Sequence, residues 1–326
     1  MDFISAGDIE RLIDYPSMIS AVEKAFRSGV IAPVRHHHSV PKPEGSPTTL
    51  LLMPAWTDFS GLKDGENGHI GVKIVTVSPD NGALAKPAIM GLYLLFDGET
   101  GEPRAIIDGQ ALTVFRTAAT SALAARYLAR DDSEVHLVIG SGALSTHLAR
   151  AHRAVRPIGK TIFWNRNFSG AQTAADKFRH YGFDCSATDD LDSALRQADI
   201  VSSATLSTEP LVKGNLLKDG VHVDLVGAFN AQMRESDDTA ILRARLYVDT
   251  FAGALKEGGD IVQPIADGII SAEDVVGELA GLIRGDVGGR GSDEEITLFK
   301  SVGAALEDLA AGILIEQRFQ AKKLLY

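Results

Sequence analysis

The sequence predicts an α/β protein in two parts: a sheet of meandering strands, followed by a doubly wound parallel sheet. Three observations carry this. Residues 71–77 and 90–96 are apolar or alternating stretches bounded by Gly, Pro, Asp and Asn turns, as strands joined by short loops are. Residues 134–145 run from an apolar strand through Gly140-Ser141-Gly142 into a helix, the order a dinucleotide-binding turn requires. Beyond that turn, strands and helices alternate as far as Asp249.

Composition sets the outer limits. A chain of 326 residues suits two modest domains, and 45% hydrophobic with 23% charged residues is ordinary globular usage. The formal net charge of -11 disfavours nucleic acid as a partner, while leaving room for a local basic pocket that takes an anion. The single cysteine, Cys185, forms no internal disulfide, and no Cys/His cluster has zinc spacing, so no metal is expected. Cys185 reads as a small, partly buried residue rather than a nucleophile. The first five residues lack a basic n-region, and no apolar run is long enough to cross a bilayer. No membrane association is expected, and the predicted location is the cytoplasm.

Taken in order, Ser5 to Asp8 caps a helix carrying Ile9, Leu12, Ile13, Met18, Ile19, Val22 and Phe26 at helical spacing. Residues 50–53 form a short strand ending at Pro54, and residues 71–77 a second that stops at Ser78-Pro79-Asp80-Asn81-Gly82. Residues 90–96 turn through 97–101 into a strand over 103–108. The alanine-rich stretch 112–128 is a long helix bridging two domains, and Asp131-Asp132-Ser133 is a polar break.

In the turn after strand 134–139, Gly140 permits tight chain reversal. Gly142 lets backbone N–H groups approach a pyrophosphate at the positive helix end. Ser141, Ala143 and Leu144 complete the turn, and Ser145 stands where a third glycine is usual. By itself this pattern fits an ordinary βα turn equally well. The next strand, 161–164, ends at Asn165-Arg166-Asn167, where NAD enzymes place an acid on the ribose hydroxyls. Asn165 in place of that carboxylate, followed by Arg166, favours a 2′-phosphate, so NADPH is the preferred cofactor over NADH. A solvated surface arginine is the alternative for Arg166.

Further strands follow at 183–187, 199–205, 222–227 and 246–249, with a helix over 191–197. The ends carrying Ala204 and Thr205, and Val226 and Gly227, would face the cofactor by the switch-point rule. The glycine-rich residues 285–291 read as a mobile loop. Residues 302–325 read as a helix that packs on the first domain.

Several segments together resemble the ornithine cyclodeaminase/mu-crystallin family. They are Gly71-Val72-Lys73-Ile74-Val75, residues 115–121 with Arg116-Thr117-Ala118-Ala119, the Gly140 turn, residues 222–235, and residues 292–303 with Thr297-Leu298-Phe299-Lys300-Ser301-Val302-Gly303. They run in the family's order across nearly the whole chain. The resemblance implies a Rossmann-type doubly wound parallel sheet inserted into an α+β substrate-binding and dimerisation domain. The expected boundaries are 1–120 with 295–326 for the outer domain and 121–294 for the dinucleotide-binding domain, in a homodimer.

The resemblance also assigns residues. Lys73 and Arg116 match positions that hold a substrate carboxylate, and Arg35 resembles a third arginine of the site. Arginine grips a carboxylate bidentately, and lysine adds a point charge. Read without the resemblance, Lys73 is a strand lysine snorkelling to solvent and Arg116 a partner in a structural ion pair. Neighbouring histidines on an extended chain point to alternate sides, so His36-His37-His38 does not build one metal site, while His36 or His38 could line the pocket and donate a proton.

Cyclodeaminases carry acids where this chain has Leu51 and Phe229. An apolar pair cannot activate a second amine, but it fits the methylenes of a small ring. The expectation is therefore an NAD(P)H-dependent reductase of a cyclic 2-imino acid, 1-pyrroline-2-carboxylate or 1-piperideine-2-carboxylate, giving L-proline or L-pipecolate. The alternatives are ornithine cyclodeaminase, a mu-crystallin-like NADPH-binding protein, and an open-chain amino-acid dehydrogenase. Proton donation falls to Lys73 or to a bound water.

Overall fold

The computed structural model describes residues 1–62, 67–84 and 86–324. It forms two compact units, Met1–Arg116 with Ala304–Tyr326, and Thr117–Gly303.

The first unit holds strands β1 (Asp2–Ile4), β2 (Val30–Ile31), β3 (His36–Val40), β4 (Thr48–Thr57), β5 (His69–Val77), β6 (Ile89–Asp97) and β7 (Pro103–Asp108), ordered β1-β7-β6-β5-β4-β2 with β3 also on β4. All pairs are antiparallel except β1 with β7. Alternation along the strands gives the sheet two faces. Met53, Ala55, Gly71, Lys73, Val75, Tyr93, Leu95, Ala105 and Ile107 are buried, whereas the residues between them are only partly covered.

The long helix Ala305–Lys323 packs on this sheet. Fully buried Tyr93 lies between two glycines. A Cβ on Gly71 would come within 1.8 Å of its hydroxyl, and one on Gly312 within 2.4 Å of its ring.

The structure alters several expectations. The first predicted helix is two, Ala6–Leu12 and Tyr15–Ser28, because Asp14 caps a new helix through Ser17 N. The Ser5–Asp8 capping box starts the first of them, as expected. Pro54 does not end its strand: β4 continues to Thr57. On the far edge of β4, β3 pairs with Thr48 to Leu52 and β2 with Trp56 and Thr57, so Pro54 falls in the gap where no ladder N–H is required. The alanine-rich helix begins earlier, at Gly109, and reaches Leu128. The last helix runs Ala305–Lys323, and Leu325 lies outside the described residues.

The second unit contains β8 (Val135–Ile139), β9 (Lys160–Trp164), β10 (Cys185–Thr188), β11 (Ile200–Ser203), β12 (His222–Leu225), β13 (Ala244–Val248), β14 (Val275–Glu278) and β15 (Ile296–Lys300). They form one sheet, ordered β10-β9-β8-β11-β12-β15-β13-β14 and parallel throughout. The first five reproduce the 3-2-1-4-5 order of a Rossmann sheet.

The expected return to the first domain at residue 295 comes later, because β15 inserts between β12 and β13. Its five residues are all buried, as a central parallel strand requires. The glycine-rich loop is also tied down: Tyr247 Oη donates to Gly288 O at 2.8 Å, and Arg290 N to Tyr127 O at 3.2 Å.

A polar cluster is buried in this unit. His136 Nε2 lies 2.9 Å from Ser202 Oγ, which donates to Asp224 Oδ2 at 2.9 Å. His152 Nε2 is 3.9 Å from the same carboxylate, and His222 pairs with Thr297 Oγ1 at 2.9 Å. Burial depresses the pKa of all three histidines, His152 to about 4, and raises Asp224 to about 7. Cys185 is buried and free, its thiol pushed up by desolvation.

Candidate active site

β5 places Lys73 on the buried face, opposite Met53 and Tyr93. It is only 3% exposed, so the solvent-facing alternative does not apply. Its Nζ donates to Asp308 Oδ1 at 2.9 Å. Arg116 donates through Nε to the same oxygen at 2.9 Å, and through Nη1 to Glu307 Oε2 at 2.6 Å. The structural ion pair considered for Arg116 therefore exists, and the four residues form one buried cluster of two cations and two acids. Both acids are fully buried on the helix Ala305–Lys323.

Burial lowers the Lys73 pKa to about 8, Asp308 opposing the shift and Arg116 and Arg35 adding to it. Arg116 is also desolvated, but Asp308 and Glu307 outweigh this and raise it further. Asp308 Oδ2 and the Tyr93 hydroxyl are buried without a hydrogen-bond partner among the described residues. Burial, with Asp308 nearby, pushes the Tyr93 phenol well above its usual value.

Half-buried Leu51 pairs with Val75 and His37, which puts it on the Lys73 face. His36 and His38 pair with Leu52 and Leu50 and so share the opposite face, their rings 6.4 Å apart. The alternation was anticipated but its phase was not: pairing with β4 selects His37, not His36 or His38, as the histidine on the Lys73 side. Half-buried Arg35 immediately precedes β3.

Glu307 and Asp308 went unnoticed in the sequence. Their signal was two adjacent acids in an apolar helix with Ala311 and Gly312 one turn on, where no base can pair with them.

In the second unit, Gly140 has φ 107°, and a Cβ there would lie 2.7 Å from Ala204 O. Only glycine takes that conformation at that approach. A Cβ on exposed Gly142 would meet nothing within 4 Å, so the space above the turn is open. Ser145 Oγ bonds back to Gly142 O at 2.9 Å, and the helix Ser145–Arg153 starts from Leu144 with no side chain capping its N–H groups. A helix start without a side-chain cap, over an open glycine turn, fits a pyrophosphate.

Ser141 lies at the turn itself, and exposed Ala143 lies beyond Gly142. Ser141 Oγ and Asn165 Nδ2 converge over Gly170, at 2.7 and 2.6 Å from where its Cβ would be. Asn165 donates to Asn167 O at 3.1 Å, and Asn167 caps the next helix through Ser169 N. Arg166 between them is exposed. Thr205 follows β11, and Val226 and Gly227 follow β12. Half-buried Phe229 donates its N–H to Gly227 O at 2.8 Å.

A family model described as the ornithine cyclodeaminase/mu-crystallin family matches residues 1–323. The chain belongs to that family. Among relatives of this ornithine cyclodeaminase/mu-crystallin member is Protein SAR DEFICIENT 4 of Arabidopsis thaliana, 39% identical over 98% of both chains. A Delta(1)-pyrroline-2-carboxylate reductase of Paracoccus denitrificans is 37% identical over 94% of this chain and 93% of its own. Among solved structures, the Thermococcus litoralis Delta(1)-pyrroline-2-carboxylate reductase in complex with NADH and L-proline superposes with a TM-score of 0.91. It is 32% identical, over 99% of this chain and 98% of that one.

Proposed function

We propose that this protein is an NAD(P)H-dependent cyclic imine reductase that converts 1-pyrroline-2-carboxylate, or its six-membered homologue, to L-proline or L-pipecolate. The observation that carries the reading is the convergence of Lys73 and Arg116 on one oxygen of Asp308, with apolar Leu51 on the same sheet face as Lys73. The reductase relatives of similar length support it.

Arg116 and Lys73, with Arg35, hold the substrate carboxylate, and apolar Leu51 on the same face accommodates the ring methylenes. Fixing one end of a small rigid ring orients its C=N bond and removes rotational freedom before reaction. Lys73, with a pKa of about 8, carries a proton on Nζ at neutral pH and gives it up more readily than an ordinary lysine. That proton belongs on the imine nitrogen, because a protonated C=N accepts hydride at carbon. A reduced nicotinamide, when bound, would supply the hydride. Gly140, Ser141, Gly142, Ala143 and Leu144 cradle the pyrophosphate, and the ends at Ala204, Thr205, Val226 and Gly227 line the other half of the dinucleotide site. Asn165, Arg166 and Asn167 lie where the adenosine ribose belongs, and Arg166 makes NADPH the better cofactor.

The first unit also carries the dimer. Met90 and Leu92 are 39% and 45% exposed on β6, on one face with partly covered Leu52, Val72, Ile74 and Leu94. A contiguous apolar sheet face fits a second copy of this chain. No described helix is long and apolar enough to cross a membrane, and the cytoplasm remains the proposed location.

The test is oxidation of NADPH and NADH with each cyclic imine and with ornithine. Rapid oxidation with an imine and none with ornithine is expected. Ammonia and proline from ornithine would overturn the reading, as would tight cofactor binding without turnover of any imine.

A further inference from the structure

The ends of β11 and β12 are joined by one buried acid that the sequence reading passed over. Glu235 is fully buried. Its Oε1 accepts from Ser203 Oγ at 2.7 Å, Thr205 N at 2.7 Å and Thr205 Oγ1 at 2.8 Å. Its Oε2 accepts from Gly227 N at 2.7 Å and Ala228 N at 3.3 Å. One carboxylate thus bonds the chain leaving two adjacent parallel strands. Its main-chain carbonyl accepts from Leu211 N and Val212 N, both at 2.8 Å, so the excursion after β11 is held at both ends by the same residue.

These loops have no slack. A Cβ on Gly227 would lie 2.2 Å from Thr205 O and 2.5 Å from Glu235 Oε1. On the other side, Ala204 O backs directly onto Gly140. Glu235, Thr205, Ala204 and Gly140 therefore form a continuous packed series that ends at the glycine turn. Behind Glu235 stands a second buried acid: Asp260 Oδ1 accepts from Glu235 N at 2.8 Å and Ser236 N at 2.9 Å, with Lys300 Nζ 3.4 Å from its other oxygen.

In a doubly wound sheet the half containing β9 takes the adenosine, so the β11 and β12 ends belong to the other half of the dinucleotide. We propose that Glu235 is a positioning residue for the nicotinamide half of the cofactor site, clamping the Thr205 and Gly227 loops at one fixed separation. This rests on the dinucleotide reading above. Glu235 touches neither cofactor nor substrate; it acts through the two loops. Only a carboxylate presents acceptors on both oxygens. In Glu235→Gln the amide turns N–H groups toward either the Thr205 donors or the Gly227 and Ala228 donors, and one loop must move away.

The test measures binding, not turnover. Wild type and Glu235→Gln are titrated with whichever of NADPH and NADH the wild type binds better, and with the matching adenosine half, 2′-phospho-ADP or ADP. The expected result is a Kd for the full dinucleotide raised about tenfold or more, with the adenosine half unchanged within about twofold. Unchanged dinucleotide binding, or equal weakening of both ligands, would overturn the proposal. If Glu235→Gln does not fold, Ser203→Ala removes one of the five donors, from a strand residue outside the cofactor lining, and leaves the backbone bonds to Glu235 in place. A selective loss of about threefold is then expected, and no loss or an equal loss overturns the proposal. A wild-type chain that binds neither dinucleotide would instead refute the underlying cofactor reading.

Discussion

Replacing Asp308 by asparagine should unsettle the first unit and its buried charge cluster together. Asp308 is fully buried and takes two charged hydrogen bonds on one oxygen, from Lys73 and Arg116, each at 2.9 Å. With Glu307 it balances two buried cations by two buried anions. Asparagine is nearly the same size, so packing is kept and only the charge goes. Removing one partner of a buried pair costs about 3–5 kcal/mol, because the remaining charge stays desolvated and uncompensated. For a chain of 326 residues that lowers Tm by roughly 4–7 °C. The Lys73 pKa should also fall below about 8, since Asp308 is what holds it up. Thermal unfolding followed by circular dichroism measures the loss. A double-mutant cycle with Lys73→Met isolates the pair, with a coupling of about 1–3 kcal/mol expected. A Tm within about 2 °C of wild type, together with additive effects of the two substitutions, would refute the charge-balance argument.

Three further outcomes are expected. Because Lys73 loses its proton above about pH 8, kcat/KM for the imine should fall above that pH, and Lys73→Arg should move the descending limb upward. A limb belonging to the substrate imine would not move. Lys73 affects stability with the opposite slope: its folded pKa lies below the unfolded 10.5, so its burial penalty is relieved as pH rises from about 8 to 10.5. The second unit should be acid-labile. His136, His152 and His222 all titrate below their ordinary 6.5 when folded, so the unfolded chain takes up more protons as pH drops below that value. Asp224, raised to about 7, holds an extra proton in the folded state and partly offsets this. Unfolding free energy should fall between pH 7 and 5, at about 1.4 kcal/mol per pH unit for each net proton, so Tm should fall with it and fall less in His222→Gln. Finally, Arg166→Ala should cut kcat/KM with NADPH about tenfold while sparing NADH; equal loss with both would refute the 2′-phosphate role.

What the sequence disclosed follows the range of the forces involved. The glycine turn was legible because Gly140 needs a positive φ that few other residues adopt, and a strand and a helix flank it within a few residues. Strand β7 was legible at its full length, Pro103–Asp108, because local alternation and a bounding turn define it. The chemistry of Lys73 and Arg116 came from resemblance, and its cause lies far along the chain in Glu307 and Asp308. No local pattern shows that a strand lysine meets an acid on a helix 235 positions away. Pro54 misled for the same reason: a proline ends a strand only where its missing N–H would be needed, and the partners on both edges of β4 decide that. His37 in place of His36 or His38 is an error of register, which alternation cannot fix without knowing the neighbouring strand. Glu235 was invisible because its role is set by five donors at the ends of two separate strands and in the loops that follow them.

The position of β15 has a consequence for how the chain comes to be folded at all. The strand is made after β13 and β14 yet lies between β12 and β13, so until residue 300 has been synthesised the parallel sheet has a slot through its middle. The first unit waits too, because the helix that covers its sheet and neutralises Lys73 and Arg116 is built from Ala305–Lys323. Neither half can settle on the ribosome in the usual order, N-terminal domain first. Each is held open until the same last stretch of chain emerges, and both then close within a few dozen residues of one another. During that interval the apolar flanks of the slot, on β12 and β13, stay uncovered.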